Sequence, residues 1–460
     1  PTVRTHFPKI QLQMLSTALR EALPNVNVEV IDMKIEGNEE RHYKTFEHDG
    51  LRFDCYRIGA TFESLTDRIA TSDIVGISSP FTQAAGIVTN LVKHIKQVSP
   101  QTKTAVGGYD TISQDRTSFY RTNGFDAVLP RNGEIELPKW IAKEFGVKLN
   151  LPNHDGIVLS HERDIFSARA LQFPLPDLEH VDFGKYIEAE DGALPDGATP
   201  PIMYLVGSKG CDRHCTFCTI PKGNLGAYSV IELERLEALL DYYKQHGIST
   251  VLLSDSNPLT RLRYGEEGRN HLIETFKLLR KKGFAWEWFD GIEFGRLADE
   301  NGNIDDELIN LLFRPEVKDG RLVGGYRAYI PVEAGYEAYR QEFDKLRTYD
   351  LQFKIIDRIL QSGVKQLSPG QIVGFPYETS ETLQQTVDTS NKLKELIESH
   401  GAEPLFIFYV HQLFPGAPDY SRFRKLLTAD IEKHPELFQL YTATKPTSKF
   451  SPSQITLARR

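Results

Sequence analysis

The chain has 460 residues, 40% of them hydrophobic and 25% charged, with a formal net charge of -9. That length exceeds one ordinary hydrophobic core, so two or three domains are expected of what reads as a globular protein. The acidic balance argues against a surface that wraps nucleic acid, no apolar run reaches the length of a membrane span, and no signal-peptide pattern is evident.

Residues 1–145 alternate helix and strand signals. Helices are predicted over 10–23, 62–70, 84–98, 112–121 and 136–145, and strands over 26–33, 74–77, 104–108 and 126–129. Such alternation predicts an α/β, doubly wound, Rossmann-like domain with helices on both faces of a parallel sheet. Ligands of these sheets bind beyond the carboxyl ends of the strands. Those ends hold Ser78, Ser79 and Thr82, then Gly107, Gly108 and Tyr109, then Asn132, Gly133 and Glu134. A single glycine there more often closes a tight turn; three neighbouring ends rich in small and hydroxyl residues leave room for a large, flat ligand.

Residues 146–200 are rich in Pro, Gly and acidic residues and read as a connector. From 201 to 420, strands are predicted over 202–206, 250–253, 285–289, 326–332, 370–374 and 405–410, with helices starting near 230, 269, 305, 344 and 381. Six strand–helix units make a partial (βα)6 barrel, open on one side, whose functional groups gather at the carboxyl ends of its strands. Just after the first of these strands come Cys211, Cys215 and Cys218, spaced C-x3-C-x2-C. Thiolates so close can share one metal centre, and soft sulfur ligands select Zn, Cu(I) or an iron–sulfur cluster. A structural zinc site calls for a fourth ligand; three cysteines on a [4Fe–4S] cube leave one iron open. Phe217 supplies an apolar wall beside the last cysteine.

Later strand ends carry Ser254, Asp255, Ser256 and Asn257, then Glu293 and Arg296, then Glu333, then Gly374. One such acid alone is more often a capping or surface carboxylate; recurrence at successive ends favours cofactor contacts. Trp286 and Trp288 share one strand face, which suits either core packing or a stacking platform for a flat substrate. The tail, 421–460, is predicted helical over 421–441 and is expected to cap the barrel. Four cysteines, three of them in one loop, are no disulfide framework and fit a reducing cytoplasm.

The cysteine loop resembles the CxxxCxΦC signature of the radical S-adenosylmethionine (SAM) superfamily, with Phe217 at Φ. In the front domain, DIVGISS, AVGGYDT and FDAVLPRNGE resemble, in order, the strand-end motifs of cobalamin-binding domains that precede a radical SAM barrel. The resemblance implies a [4Fe–4S] cluster on Cys211, Cys215 and Cys218. It implies SAM contacts from Phe217, Ser254, Asp255, Ser256, Asn257, Glu293, Arg296, Glu333 and Gly374. It implies cobalamin contacts from Ser78, Ser79, Thr82, Gly107, Gly108, Tyr109, Asn132, Gly133 and Glu134. The cobalamin-ligating pattern DxHxxG is absent, and His6 reads as a surface residue, so cobalt without a protein histidine is implied; Arg57 and Arg68 are candidates to approach its lower face. The first strand of such a domain is expected upstream of Pro1.

The implied activity is methyl transfer from SAM through cobalamin to a carbon of a small-molecule or peptide substrate, with an electron donor such as flavodoxin or ferredoxin. The alternative is a radical SAM dehydratase or rearrangement enzyme whose cobalamin-like domain is vestigial. A methylthiotransferase is disfavoured, because only Cys55 remains for a second cluster, and an iron–sulfur or zinc regulatory protein ranks third.

Overall fold

The computed structural model describes residues 7–37, 39–151, 157–158, 173–188, 198–220, 228–336 and 348–459. His6 and the helix start expected near 344 lie outside these residues.

The front lobe is built on a parallel sheet of Ile74–Ser78, Lys103–Gly107 and Ala127–Leu129, in that order. Successive side chains of a strand face opposite sides, and the central strand uses both. Ala105 packs against Leu19 and Ala22 of helix Ile10–Ala22 and Leu137 and Ile141 of helix Gly133–Phe145. Val106 packs on the other face against Val88 and Val92 of helix Ala85–Val98, with Tyr120 and Phe125. The lobe is therefore doubly wound, as the alternation predicts.

Residues 26–33 do not form the strand expected of them. Their alternation instead places Val26 and Val28 against one helix layer and Ile31 and Met33 against the other cluster. The Val28 carbonyl accepts from the Arg20 guanidinium at 2.5 Å rather than from a neighbouring strand. The lobe also carries an antiparallel hairpin, Glu40–His48 with Leu51–Ile58, absent from the sequence-based expectation. Its turn is Asp49-Gly50, with φ of 48° and 74°. Two positive φ values are what a two-residue hairpin turn requires, and Asp-Gly is a favoured pair for it.

The second sheet holds six parallel positions in sequence order: Ile202–Leu205, Thr250–Leu253, Ala285–Trp288, Arg321–Glu333, Gln366–Val373 and a last strand in two pieces, Glu403–Pro404 and Ile407–Val410. Pro315–Lys318 folds back antiparallel on the fourth. This is the expected partial barrel. Its main core lies between strands and outer helices, with Trp286 and Trp288 at its centre, 0% and 1% exposed. Both indole N–H groups donate to the Leu312 carbonyl, at 2.9 and 3.3 Å. These rings are core and offer no face to a substrate, which corrects the platform reading.

The tail also departs from expectation. Only Pro418–Phe423 is α-helical before 441, and a second helix, Pro452–Ala458, follows. The Asp430 side chain accepts from the Glu432 and Lys433 backbone N–H groups, and Pro435 starts a new short turn; both features compete with helix continuation. Instead of a helix, the tail packs Leu437, Phe438 and Ala429 on Phe46 and Phe53 of the hairpin. It then sends Lys445 to the Gly374 carbonyl of the barrel.

Candidate active site

The cysteine loop follows the first barrel strand and is braced by charge. Asp212 accepts two bonds from Arg296, at 2.7 and 2.8 Å, with Thr260 and Arg263 alongside. Glu293 accepts from Arg213, from Arg296 at 2.8 Å and from Asn257 at 2.7 Å. Glu293 and Arg296, expected at SAM, thus serve the loop that carries the cysteines. Charge-assisted bonds of this kind are the stronger hydrogen bonds, and they stiffen a segment with little regular structure of its own.

The turn after the second barrel strand alternates. Asp255 and Asn257 face inward. Asp255 is buried, accepts from Ser208, and has its carboxyl raised by desolvation, with Arg261 opposing. Asn257 Nδ2 lies 3.7 Å from Cys211 Sγ as well as bonding Glu293. Ser254 and Ser256 are half-buried, on the side of the turn that meets Asp290 and Tyr109. There Ser254 Oγ donates to Asp290 at 2.5 Å, and Ser256 shares a hydrogen bond with the Tyr109 hydroxyl.

Phe217 packs with Ala334, Tyr336, Ile372, Phe375 and Tyr409, so the cysteine loop, the residue after Glu333 and the residue after Gly374 share one apolar cluster. Glu333 is buried with φ +66°, a left-handed conformation for a residue with a side chain. At Gly374 (φ +82°) the N–H donates to Glu378 at 2.8 Å and the carbonyl accepts from Lys445 at 2.5 Å. Burial lifts the Glu378 carboxyl to about 7 and lowers the Lys445 ammonium to about 7.

Cys211, Cys215 and Cys218 form no disulfide among the described residues, Cys215 being buried and the others half-buried. Burial pushes the Cys211 thiol up. The donor set fits a cluster better than a single ion. Three soft thiolates on one short loop are the donor set of an iron–sulfur cube, which takes them at separate irons. Asn257 Oδ1, beside this loop, is buried and finds no hydrogen-bond partner among the described residues. Cys55 sits apart on the hairpin, with Glu436, Lys44 and Asp54 as its charged neighbours.

In the front lobe, several residues expected at cobalamin are spent internally. Ser79 and Thr82 are buried; Ser79 Oγ bonds the Tyr120 hydroxyl at 2.7 Å and Thr82 donates to Asp110 at 2.6 Å. Asp110 is further held by Arg116 at 2.6 Å and Tyr120 at 2.6 Å. Gly108, at φ +109°, lies so close to the Ser79 backbone that a Cβ would come within 2.5 Å of its carbonyl oxygen. A Cβ on Gly107 would meet the Leu129 carbonyl at 3.3 Å, and one on Gly133 would meet Leu15 at 3.0 Å. Asn132 (φ +41°) begins the helix that carries Glu134. Arg68 pairs with Glu29 and Glu36, and Arg57 lies over the Phe62 ring.

Ser78 and Tyr109 remain exposed at the strand ends, Tyr109 by 44%. Yet Tyr109 shares a hydrogen bond with Ser256 and lies within electrostatic reach of Asp290, Cys218 and Glu134, and desolvation raises its hydroxyl. It therefore lines a cleft between the two lobes. Glu134 bonds Lys209, two residues before the cysteine loop, at 2.8 Å. The carboxyl ends of both parallel sheets thus face one another.

Sequence reading missed Arg213, Asp290, Tyr204, Tyr329 and Tyr409. The signal for Asp290 was available: it stands directly beyond the third barrel strand, where such groups gather. No helix among the described residues is long and apolar enough to cross a membrane.

Residues 205–389 match the family described as the Radical SAM superfamily. Among curated proteins, the chain is 24% identical over 303 residues to the cytidylyl-2-hydroxyethylphosphonate methyltransferase of Streptomyces wedmorensis, covering 59% of this chain and 52% of that protein. It is 27% identical over 225 residues to the tRNA-2-methylthio-N(6)-dimethylallyladenosine synthase of Jannaschia sp., covering 48% and 44%. The chain therefore spans about half the length of these relatives. Among solved structures, the cobalamin-dependent SAM radical enzyme OxsB aligns over 96% of this chain and 62% of its own, with TM-score 0.63 and 18% identity. The radical SAM methyltransferase TsrM from Kitasatospora setae aligns over 91% and 73%, with TM-score 0.59 and 15% identity. Residues 205–389 of this chain are a radical SAM domain, and with its front lobe the chain shares the fold of OxsB and TsrM.

Proposed function

We propose that this protein is a cobalamin-dependent radical SAM methyltransferase acting on a carbon of a small-molecule or peptide substrate, with flavodoxin or ferredoxin as electron donor. The observation that carries the reading is the apposition of the two strand-end surfaces, where Tyr109 of the front lobe bonds Ser256 of the barrel and Glu134 bonds Lys209. OxsB has been solved with aqua-cobalamin and SAM bound, and TsrM with a SAM analogue. The functional units are residues 1–145 for cobalamin, 146–200 as connector, 201–420 for SAM and 421–460 as a capping segment.

Cys211, Cys215 and Cys218 hold the [4Fe–4S] cluster, and Arg213, Asp212, Glu293 and Arg296 fix the loop around them. Phe217 and Phe375 supply the apolar wall for SAM, Glu333 its acidic contact, and Ser254 and Ser256 its polar floor. Ser78 and Tyr109, which keep exposed surface at the front strand ends, border the cobalamin space. The bound groups supply one-electron reduction, a cleavable SAM and a methyl carrier. This chain's residues bind and orient them and keep water from the cleft.

The test is anaerobic reconstitution with cobalamin supplied. The protein is expected to retain cobalamin, carry one [4Fe–4S] cluster, and form S-adenosylhomocysteine beside 5′-deoxyadenosine on turnover. Replacing Cys211, Cys215 and Cys218 together with Ala abolishes cluster iron, whereas Cys55→Ala leaves it unchanged. Protein that never retains cobalamin, and forms 5′-deoxyadenosine without S-adenosylhomocysteine, is instead a radical SAM dehydratase with a vestigial front lobe.

A further inference from the structure

The cleft between the lobes has a chemical character of its own. Asp290 follows the third barrel strand, accepts from Ser254 at 2.5 Å, and keeps exposed surface towards the cleft. The charged group that acts on it is another acid, Asp255, and no cation pairs with it among the described residues. Desolvation raises its carboxyl, as expected of an acid that lacks a counter-charge.

Around it stand tyrosines from distant parts of the chain. Tyr109, Tyr204 and Tyr409 all feel the Asp290 charge. Tyr204 meets Phe289 edge-on, with centroids 5.5 Å apart. Tyr329 hydrogen-bonds Tyr409, their rings 6.3 Å apart, and burial with neighbouring phenols pushes the Tyr409 hydroxyl up to about 12.

The position of Tyr329 is built by two glycines. A Cβ on Gly291 would lie 2.5 Å from its Cδ1, and one on Gly370 would lie 2.1 Å from its hydroxyl oxygen. Both positions must lack a side chain for the ring to stand where it does. An unpaired carboxylate among phenol rings attracts positive charge twice over. The carboxylate does so by Coulomb attraction and hydrogen bonding, and the ring faces do so through their quadrupoles. An anion would meet the same groups as repulsion.

We infer that this cleft is the substrate site and selects a planar substrate bearing a protonated amine, with Asp290 accepting from the nitrogen and the tyrosine rings holding the body. The inference rests on the methyltransferase reading for the identity of the cofactors, but not for the charge of the ligand. Tyr329, fixed between its glycines, acts as a positioning residue for the substrate ring.

The test is calorimetric binding to anaerobically reconstituted full-length protein with SAM present. The probes are tyramine and 3-(4-hydroxyphenyl)propionate, which carry the same ring and opposite charges. Tyramine is expected to bind at least about tenfold more tightly than the carboxylate. Asp290→Asn keeps size and the Ser254 contact, and is expected to erase that preference while SAM affinity and iron content hold. Equal or stronger binding of the carboxylate overturns the assignment, as do binding of neither probe and loss of SAM affinity in D290N with tyramine binding intact. Failure to retain cobalamin or to turn over SAM in the same preparation counts against the methyltransferase reading alone, because neither probe is read through turnover.

Discussion

Glu333 ends the fourth barrel strand at φ +66°, buried. A conformation of this kind costs on the order of 1–3 kcal/mol and persists only where the surroundings over-determine it. Its neighbours Ala334 and Tyr336 belong to the cluster that contains Phe217, so the strain is held beside the cysteine loop. Glu333→Gln keeps size and removes charge. It is expected to weaken SAM binding by about 1.5–3 kcal/mol, the worth of one charge-assisted hydrogen bond, with cluster iron unchanged. Calorimetry of SAM binding beside an iron assay checks both halves. At the same scale, Asp255 and Ser256 are adjacent yet divided, one turned inward to Ser208 and one outward to Tyr109.

At the scale of single elements, the turn after the central front strand is held from below. Asp110 gathers Thr82, Arg116 and Tyr120, and Gly108 brings the turn against the Ser79 backbone. At Gly108, with φ 109° and ψ 172°, the backbone occupies a region almost restricted to glycine. Gly108→Ala is therefore expected to destabilise the front lobe by about 2 kcal/mol or more, through backbone strain together with the 2.5 Å clash. Gly76→Ala is the control. Its Cβ would meet nothing within 4 Å, and the change is expected to stay within about 0.5 kcal/mol. Denaturant unfolding of the two variants separates these outcomes, and equal stabilities would contradict the account of the turn.

Across the whole molecule, contacts from three directions hold the lobes together. Glu134 reaches Lys209, Tyr109 reaches Ser256, and the tail joins the hairpin to the Gly374 turn. The Glu134–Lys209 pair is the charged link nearest the cysteine loop, with side chains 17% and 19% exposed. Glu134→Gln removes one partner of a largely buried pair. A full burial penalty would reach about 3–5 kcal/mol, and residual solvent contact brings the expected loss to about 1–3 kcal/mol. Scanning calorimetry is expected to show the front lobe melting ahead of the barrel in this variant, where the parent melts more nearly as one. An unchanged profile would mean that the tail and Tyr109 hold the lobes without this pair.

By itself the sequence determined what depends on spacing and local pattern. Three cysteines within eight positions dictate soft-metal chemistry wherever the loop lies, and alternating apolar runs dictate two parallel sheets. The Asp49-Gly50 turn has residue types that match positive φ at both positions, yet the hairpin it closes was not among the predicted elements. Tertiary structure alone decided which groups at the strand ends are free to act. Ser79 and Thr82 look like ligand contacts in sequence, but Tyr120 and Asp110, from a turn and helix further on, take their hydroxyls. Trp286 and Trp288 share a face, and the outer helices rather than the strand make that face core. The Asp290 cleft draws its tyrosines from positions 109, 204, 329 and 409. Periodicity states which way a side chain points along its own element; what it meets there depends on the neighbour that folding brings up to it.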